Sequence, residues 1–354
     1  MKILYINALD KRYGSTYRSR NIVKALRELG HVITYIESNL EECDSQSNIS
    51  VSQKDNLFGY FKATCLRVRA VLRLDFDILY IQKFIPLTVP CMIAAKLRRK
   101  KCIVDWDDLD WALQGSLAKK VIVYSCEFIF PYLCDKITTH SLLLKEYAQK
   151  RGIRNTSIVN QIVDFDNSQV TEEDKDRLKA KYNLKDKKVL GYLCTLTEGG
   201  AKDIDLIIKW ASELINRDNS FFLFIIGGGP LEGRVQNLLS TYNLKLNTNC
   251  AITGLISHQD IPEYLSVCDV GLIYMRNNLA NRYRMSFKAL EYFAVGLKTS
   301  GKIVGETNRR LAKYINNNSN TMIEQRLEND LKVFINEHYS FNVLTTDLFG
   351  IEYK

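Results

Sequence analysis

Apolar positions along the chain fall into two alternating patterns. Short continuous runs at Lys2–Ala8, Val32–Ile36, Asp77–Gln82, Cys102–Asp105, Lys136–Thr139 and Ser157–Val159 predict strands. Most are separated by stretches with helical spacing: Thr16–Leu29 (stopped by Gly30), Leu87–Leu97, Ala118–Phe130 and Leu142–Lys150. Strands that stay apolar throughout, alternating with helices, predict a parallel sheet covered on both faces. A stretch rich in Asp, Glu and Lys at Asp164–Asp186 interrupts the pattern, which then restarts. The second half predicts strands at Val189–Cys194, Phe221–Ile226, Ala251–Thr253 and Val270–Tyr274. Its helices fall at Ile204–Ile215, Leu231–Tyr242, Ile261–Val267 and Phe287–Val295. The expected fold is therefore α/β: two doubly wound Rossmann-like domains facing a central cleft, with ligands at the C-terminal ends of the strands. The expected division is a domain over 1–165, a linker over 166–186, a second domain over 187–337 and a C-terminal segment over 338–354.

One helical stretch departs from this scheme. Leu57–Arg73 carries Leu57, Phe61, Thr64, Cys65, Val68, Val71 and Leu72 on one face, with Lys62, Arg69 and Arg73 opposite and Arg67 near the boundary. A basic amphipathic helix can lie in a membrane interface, and it can equally be a helix packed on the sheet. The run Leu97-Arg98-Arg99-Lys100-Lys101 either extends the same patch or forms a solvated helix end.

Composition narrows the function classes. A chain of 354 residues suits two domains, and 46% hydrophobic with 25% charged residues is an ordinary folded composition. The net charge of +9 is uneven: residues 1–170 hold 25 Lys and Arg against 18 Asp and Glu. That excess favours an anionic partner. No zinc, helix-turn-helix or aromatic RNA-binding signature accompanies it, so an anionic membrane surface is expected rather than nucleic acid. The start, MKILYINALD, lacks the features of a signal peptide, and no run is long and apolar enough to span a membrane. A cytoplasmic chain, peripheral at the inner face of the membrane, is expected. The nine cysteines (Cys43, Cys65, Cys91, Cys102, Cys126, Cys134, Cys194, Cys250 and Cys268) are odd in number and form no C-x-x-C pair. This fits a reducing compartment and neither a disulfide framework nor a metal site.

The most informative run is SFKALEYFAVG, residues 286–296. Ser286 can cap the helix with its side-chain oxygen, Lys288 falls in the first turn, and Glu291 lies one turn deeper on the same face. A helix N-terminus beside a Lys suits phosphate, and a carboxylate one turn further in can accept ribose hydroxyls. The spacing alone also describes an ordinary surface helix.

The order of motifs decides between them. The opening strand–loop–helix runs into LGHVITYIES, followed by KCIVDWDD and DKITTHSLLL. GYLCTLTEGGAKDIDLII, FLFIIGGGPLEGRV, ITGLISHQDIPEYLSVCDVGLIY and SFKALEYFAVGL come next. Over nearly its whole length the chain resembles the retaining, family 4 glycosyltransferases of the GT-B fold, the group 1 glycosyl transferases. The resemblance implies that Glu291 binds the donor ribose, that Ser286 and Lys288 lie at its phosphates and that Lys202 neutralises the diphosphate. Gly227, Gly228 and Gly229 would let the backbone pass close to the nucleotide. Gly14 and Ser15 would approach the donor from the first domain, and the segment Phe341–Tyr353 would return to that domain.

Three positions depart from the family pattern. Tyr283 stands where a second Glu is usual, Cys194-Thr195 where a Gly-Arg pair is usual, and Asp105 where a His often ends the strand. Arg276, Arg282 or Arg284 is expected to supply the missing positive charge. In the run DWDDLDW, one or two of Asp105, Asp107 and Asp108 are expected to contact acceptor hydroxyls or move a proton, unless the run simply caps a short helix. Asp105-x-Asp107 also resembles the metal-holding pair of GT-A transferases, but a complete second nucleotide fold follows it, so no metal or other cofactor is expected. His140, His258 and His338 lack partners at ligand spacing, and Ser141 has no dyad. The expected function is hexose or N-acetylhexosamine transfer from a UDP- or GDP-sugar to a glycan or lipid-linked acceptor, in cell-surface polysaccharide or glycolipid synthesis. A nucleotide-sugar 2-epimerase and a non-catalytic partner subunit are the alternatives.

Overall fold

The computed structural model describes residues 1–10, 14–40, 48–165, 170–316 and 327–352. Cys43, residues 166–169 of the expected linker and the last two residues of the C-terminal segment lie outside them. The chain divides into two compact units. One comprises Met1–Ile162, Arg282–Met285 and Ser340–Lys354; the other comprises Val163–Asn281 and Ser286–Tyr339.

In chain order the first unit contains β1 (Lys2–Asn7), α1 (Gly14–Glu28), β2 (Val32–Ser38), β3 (Asn48–Val51), α2 (Leu57–Arg73), β4 (Ile78–Gln82) and α3 (Val89–Leu97). It continues through β5 (Lys101–Asp105), α4 (Asp110–Leu113), α5 (Leu117–Ile129), β6 (Lys136–Thr139), α6 (Leu142–Lys150) and β7 (Thr156–Ile158). Its sheet is seven-stranded in the order β3-β2-β1-β4-β5-β6-β7, and every pairing is parallel. The strand order reverses between β1 and β4, so the loops leaving those strands flank the expected ligand position. Ile3 and Tyr5 pack towards α1, while Leu4 and Ile6 pack towards the opposite core with Trp106, which explains why β1 reads as a continuous apolar run.

The second unit opens with α7 (Glu172–Lys181), inside the segment expected as a linker. Almost nothing on α7 is apolar, yet Thr171 and Asp174 form a reciprocal capping box and Leu178 is buried. Tyr182 just after it packs on Phe224, so this stretch is part of the unit. There follow β8 (Lys188–Leu193), α8 (Ile204–Arg217), β9 (Phe221–Ile226), α9 (Glu232–Thr241), β10 (Cys250–Ile252), α10 (Ile261–Leu265) and β11 (Val270–Tyr274). After α11 (Leu279–Tyr283) come α12 (Phe287–Ala294), β12 (Thr299–Lys302), α13 (Gly305–Leu311), β13 (Ile315–Asn316), α14 (Leu327–His338) and α15 (Phe341–Glu352). The sheet order β10-β9-β8-β11-β12-β13 is parallel, with its reversal between β8 and β11. In α15, Leu344 and Leu348 join the core cluster of α1, and Asp347 accepts from the Asn160 amide, within the first unit.

Candidate functional site

The loops at the two sheet reversals carry most of the residues singled out in the sequence. In the second unit, α12 begins right after the β11 loop. Ser286 occupies its N-cap, but the side chain makes no capping hydrogen bond, contrary to the expectation. Its amide donates to Thr307 Oγ1 at 2.9 Å instead. The Ser286 side chain therefore consumes none of the first-turn N–H groups, at the positive end of the helix dipole. The Lys288 ammonium stands 4.1 Å from the ring centroid of Tyr192 on β8.

Glu291, one turn deeper, is buried with its Oε1 3.2 Å from Nε2 of His258. His258 stacks on Phe287 at 6.2 Å and lies beside Phe165 at 5.2 Å. In the sequence His258 lacks a partner at metal-ligand spacing and reads as structural. No local signal could have paired it with an acid more than thirty positions away, because the parallel crossover from β10 to α12 makes the contact.

Gly227 and Gly229 take φ of +132° and +153°, a region that L side chains rarely adopt. A Cβ at Gly227, Gly228 or Gly229 would meet the backbone of Cys194, Gly254 with Leu255, or Leu196, respectively. The unit's own loops thus already require glycine at these three positions. Lys202 is exposed on the loop before α8. Arg276, expected to replace the missing family Arg, is engaged by two carboxylates: Nε donates to Asp203 at 2.9 Å and Nη2 to Asp205 at 2.6 and 2.7 Å. Thr195, which stands at that Arg position, is exposed.

In the first unit, Gly14 and Ser15 form the N-terminus of α1. Gly14 is exposed with open space around it, and the Ser15 carbonyl accepts from Gln82 at 2.7 Å. Arg282 is exposed, Arg284 lies 3.4 Å from Asp108, and Tyr283 packs as an aromatic against Tyr147. The position where a second Glu is usual is thus a hydrophobic contact.

The acidic run after β5 is where expectation and structure differ most. Asp105 is fully buried and accepts from Arg18 Nε at 2.7 Å, Arg18 Nη2 at 2.8 Å and Thr138 at 2.8 Å. Arg18 also donates to the carbonyls of Val159 and Asn160. Asp105 is thus out of contact with solvent and has both oxygens engaged by protein donors, as a structural anchor would. Lys83, at the end of β4 with φ +67°, is buried within 2.6 Å of Asp107, 3.0 Å of Asp110 and 3.7 Å of Asp108. Burial pulls the Lys83 ammonium down, but the three carboxylates outweigh it and hold it well above its ordinary value. Burial pushes Asp107 up to about 7, against the opposing pull of Lys83. Asp110 is raised by burial as well. Glu127, which accepts from the Asp110 amide and Trp106, is raised well above the carboxylate range, again by burial. Of the three acids named from the sequence, only Asp108 retains appreciable exposure, at 18% of its side chain. Lys83 was not foreseen: a lone Lys at a strand end reads as a surface residue. Among the described residues, no group of three His, Cys, Asp or Glu is placed to hold a metal.

Residues 187–318 match the family model described as glycosyl transferases group 1. This part of the chain is similar to the group 1 glycosyl transferases. The chain's fold is GT-B, as its structural neighbours are. HepE from Anabaena, solved with UDP and glucose, superposes with a TM-score of 0.74 at 13% identity, covering 99% of this chain and 98% of that one. A glycosyltransferase from Rickettsia africae gives 0.69 at 15% identity, over 99% and 97% of the two chains. WaaG, a glycosyltransferase of lipopolysaccharide biosynthesis, gives 0.64 at 13% identity, over 99% and 94%. No curated protein sequence matches the chain.

Proposed function

We propose that this glycosyltransferase moves a hexose or N-acetylhexosamine from a UDP- or GDP-sugar to a hydroxyl of a glycan or lipid-linked acceptor, with retention of anomeric configuration. The product would belong to cell-surface polysaccharide or glycolipid. The observation that carries this reading is the α12 corner. Ser286 makes no side-chain cap at the N-terminus of α12, and a buried carboxylate one turn inward lies 3.2 Å from His258. Glu291 accepts the ribose hydroxyls, Ser286 and Lys288 meet the phosphates, and Lys202 balances the diphosphate. The N-terminus of α1 at Gly14 and Ser15 offers a further set of helix N–H groups. UDP is favoured over GDP because HepE was solved with UDP and with UDP-glucose.

In the reaction the bond from the anomeric carbon to the diphosphate oxygen breaks as the acceptor oxygen bonds to the same face. A phosphate oxygen of the leaving group takes the acceptor proton. No metal is required in this scheme, because a helix terminus and lysines stabilise the leaving charge. In the first unit, Asp108 is the acid left to contact an acceptor hydroxyl.

A 2-epimerase remains the second reading. A solved structure from Listeria monocytogenes carrying the name UDP-N-acetylglucosamine 2-epimerase shares the fold, with a TM-score of 0.58 at 9% identity. A thermal-shift panel of UDP-, GDP-, ADP- and CMP-sugars tests the donor: UDP-sugars should raise the melting temperature most. Equal responses to all four would remove the donor assignment. Conversion of the sugar without an acceptor would favour the epimerase.

A further inference from the structure

The outward faces of α2 and α5 are apolar where a water-facing helix is polar. On α5, Val123, Cys126 and Glu127 turn inward. The outer side carries Leu117 (77% exposed), Val121, Ile122 (53%), Phe128 and Ile129 (53%), and the exposed Tyr132 and Leu133 follow it. On α2 the packing side is Gly59, Ala63, Arg67 and Val71, so most of the predicted apolar stripe points away from the core. Leu57, Phe58, Phe61 and Leu72 are exposed. The helix packs on the core, but with small residues and a buried Arg67 bonded to Ser38 and Gln53 rather than with most of the stripe.

The loop after β4 packs against the inner side of α5 and borders the outer side of α2. Ile85 packs with Val123 of α5, and Leu87 lies against that cluster. Pro86, Leu87 and Pro90 form one wall of a groove of about 730 Å³, and Phe61, Val68 and Leu72 of α2 form another. A groove of this size suits a chain-like apolar ligand. The exposed charges on the two helices themselves have one sign. α2 carries Lys62, Arg69 and Arg73 with no acid, and α5 carries Lys119 and Lys120 with its Glu127 buried. None of these five cations has an ion pair among the described residues.

We propose that the first unit docks on an anionic bilayer surface through the outer faces of α2 and α5 together, with the groove beside α2 taking an acyl chain. Exposed apolar area on helices whose own exposed charges are all cationic matches lipid headgroups over acyl chains. A symmetric contact with a second copy would instead press the same cations against each other. No helix among the described residues is long and apolar enough to cross a membrane, so this contact is interfacial. The proposal bears on the acceptor half of the reading above and is independent of the donor assignment.

The test is co-sedimentation of the full chain with vesicles of phosphatidylcholine alone, and with phosphatidylglycerol added. The wild type should partition onto the anionic vesicles and be released by salt. Ile122→Glu/Ile129→Glu and Phe58→Glu/Phe61→Glu should each lower the partition coefficient by about tenfold or more, at unchanged melting temperature. Lys119→Gln/Lys120→Gln gives the same readout from charge alone should a Glu pair disturb folding. A wild type that stays in solution with anionic vesicles would overturn the proposal. So would α5 variants that all bind like the wild type, or a dimer dissociated by the Glu pairs in place of vesicle binding. The UDP-sugar response is read without vesicles, so failure here leaves it standing.

Discussion

The corner after β5 in the first unit and the corner before α12 in the second are both loops at the C-terminal edge of a parallel sheet. They use charge in opposite ways. After β5 the charges are closed on themselves: Arg18 takes both oxygens of Asp105, and Lys83 gathers Asp107 and Asp110. Before α12 they are sparse: the Ser286 side chain makes no cap, Lys202 is exposed on its loop, and Glu291 lies 3.2 Å from His258. The acid-rich run DWDDLDW reads as the richer chemistry, but its carboxylates mainly hold β5 to its neighbours. A dense cluster of opposite charges satisfies itself, whereas a sparse arrangement at a helix end keeps its field for a ligand.

The largest effect that would break this contrast is on stability. Asp105→Ala leaves Arg18 buried without its counter-ion and should cost about 3–5 kcal/mol in urea unfolding. A loss below about 1 kcal/mol would mean that Asp105 is not an anchor and would reopen a chemical role. Next in size is Lys202→Ala, which should weaken UDP by about tenfold while leaving uridine unchanged, as for loss of one cation at a phosphate. Equal losses for the two ligands would contradict the phosphate role.

The smallest effect is a pH slope. Asp107 is held at about 7 in the folded chain by burial, facing Lys83, Asp108, Asp110 and Asp105, against about 4 when unfolded. Its contribution to stability is full below the unfolded value and is lost as pH rises through about 7. Asp107→Asn should therefore lose less stability than the wild type between pH ~5 and ~8. Parallel melting profiles would show that Asp107 is ionised throughout.

Sequence patterns carried the strongly periodic elements well and the weakly apolar ones poorly. β1, β9 and α8 are legible because each buries a continuous run or one clear face. Edge strand β3, with four residues, and β12, reading Thr-Ser-Gly-Lys, offer too few apolar side chains to register. α7 was hidden because its helicity comes from a capping box and charged pairs rather than a stripe. At the site, Ser286, Lys288 and Glu291 were legible because one helix sets their spacing. The His258 brace and the Lys83 cluster were not, because crossover contacts leave no local trace. The glycines of the β9 turn were legible as a close backbone approach, and the neighbouring loops that crowd them were not.

Calorimetric titration of UDP-glucose into the wild type and Glu291→Ala tests the α12 corner most directly. Loss of a buried acceptor for two ribose hydroxyls should raise Kd roughly 10–100-fold. An unchanged Kd in a variant that melts like the wild type would contradict the account.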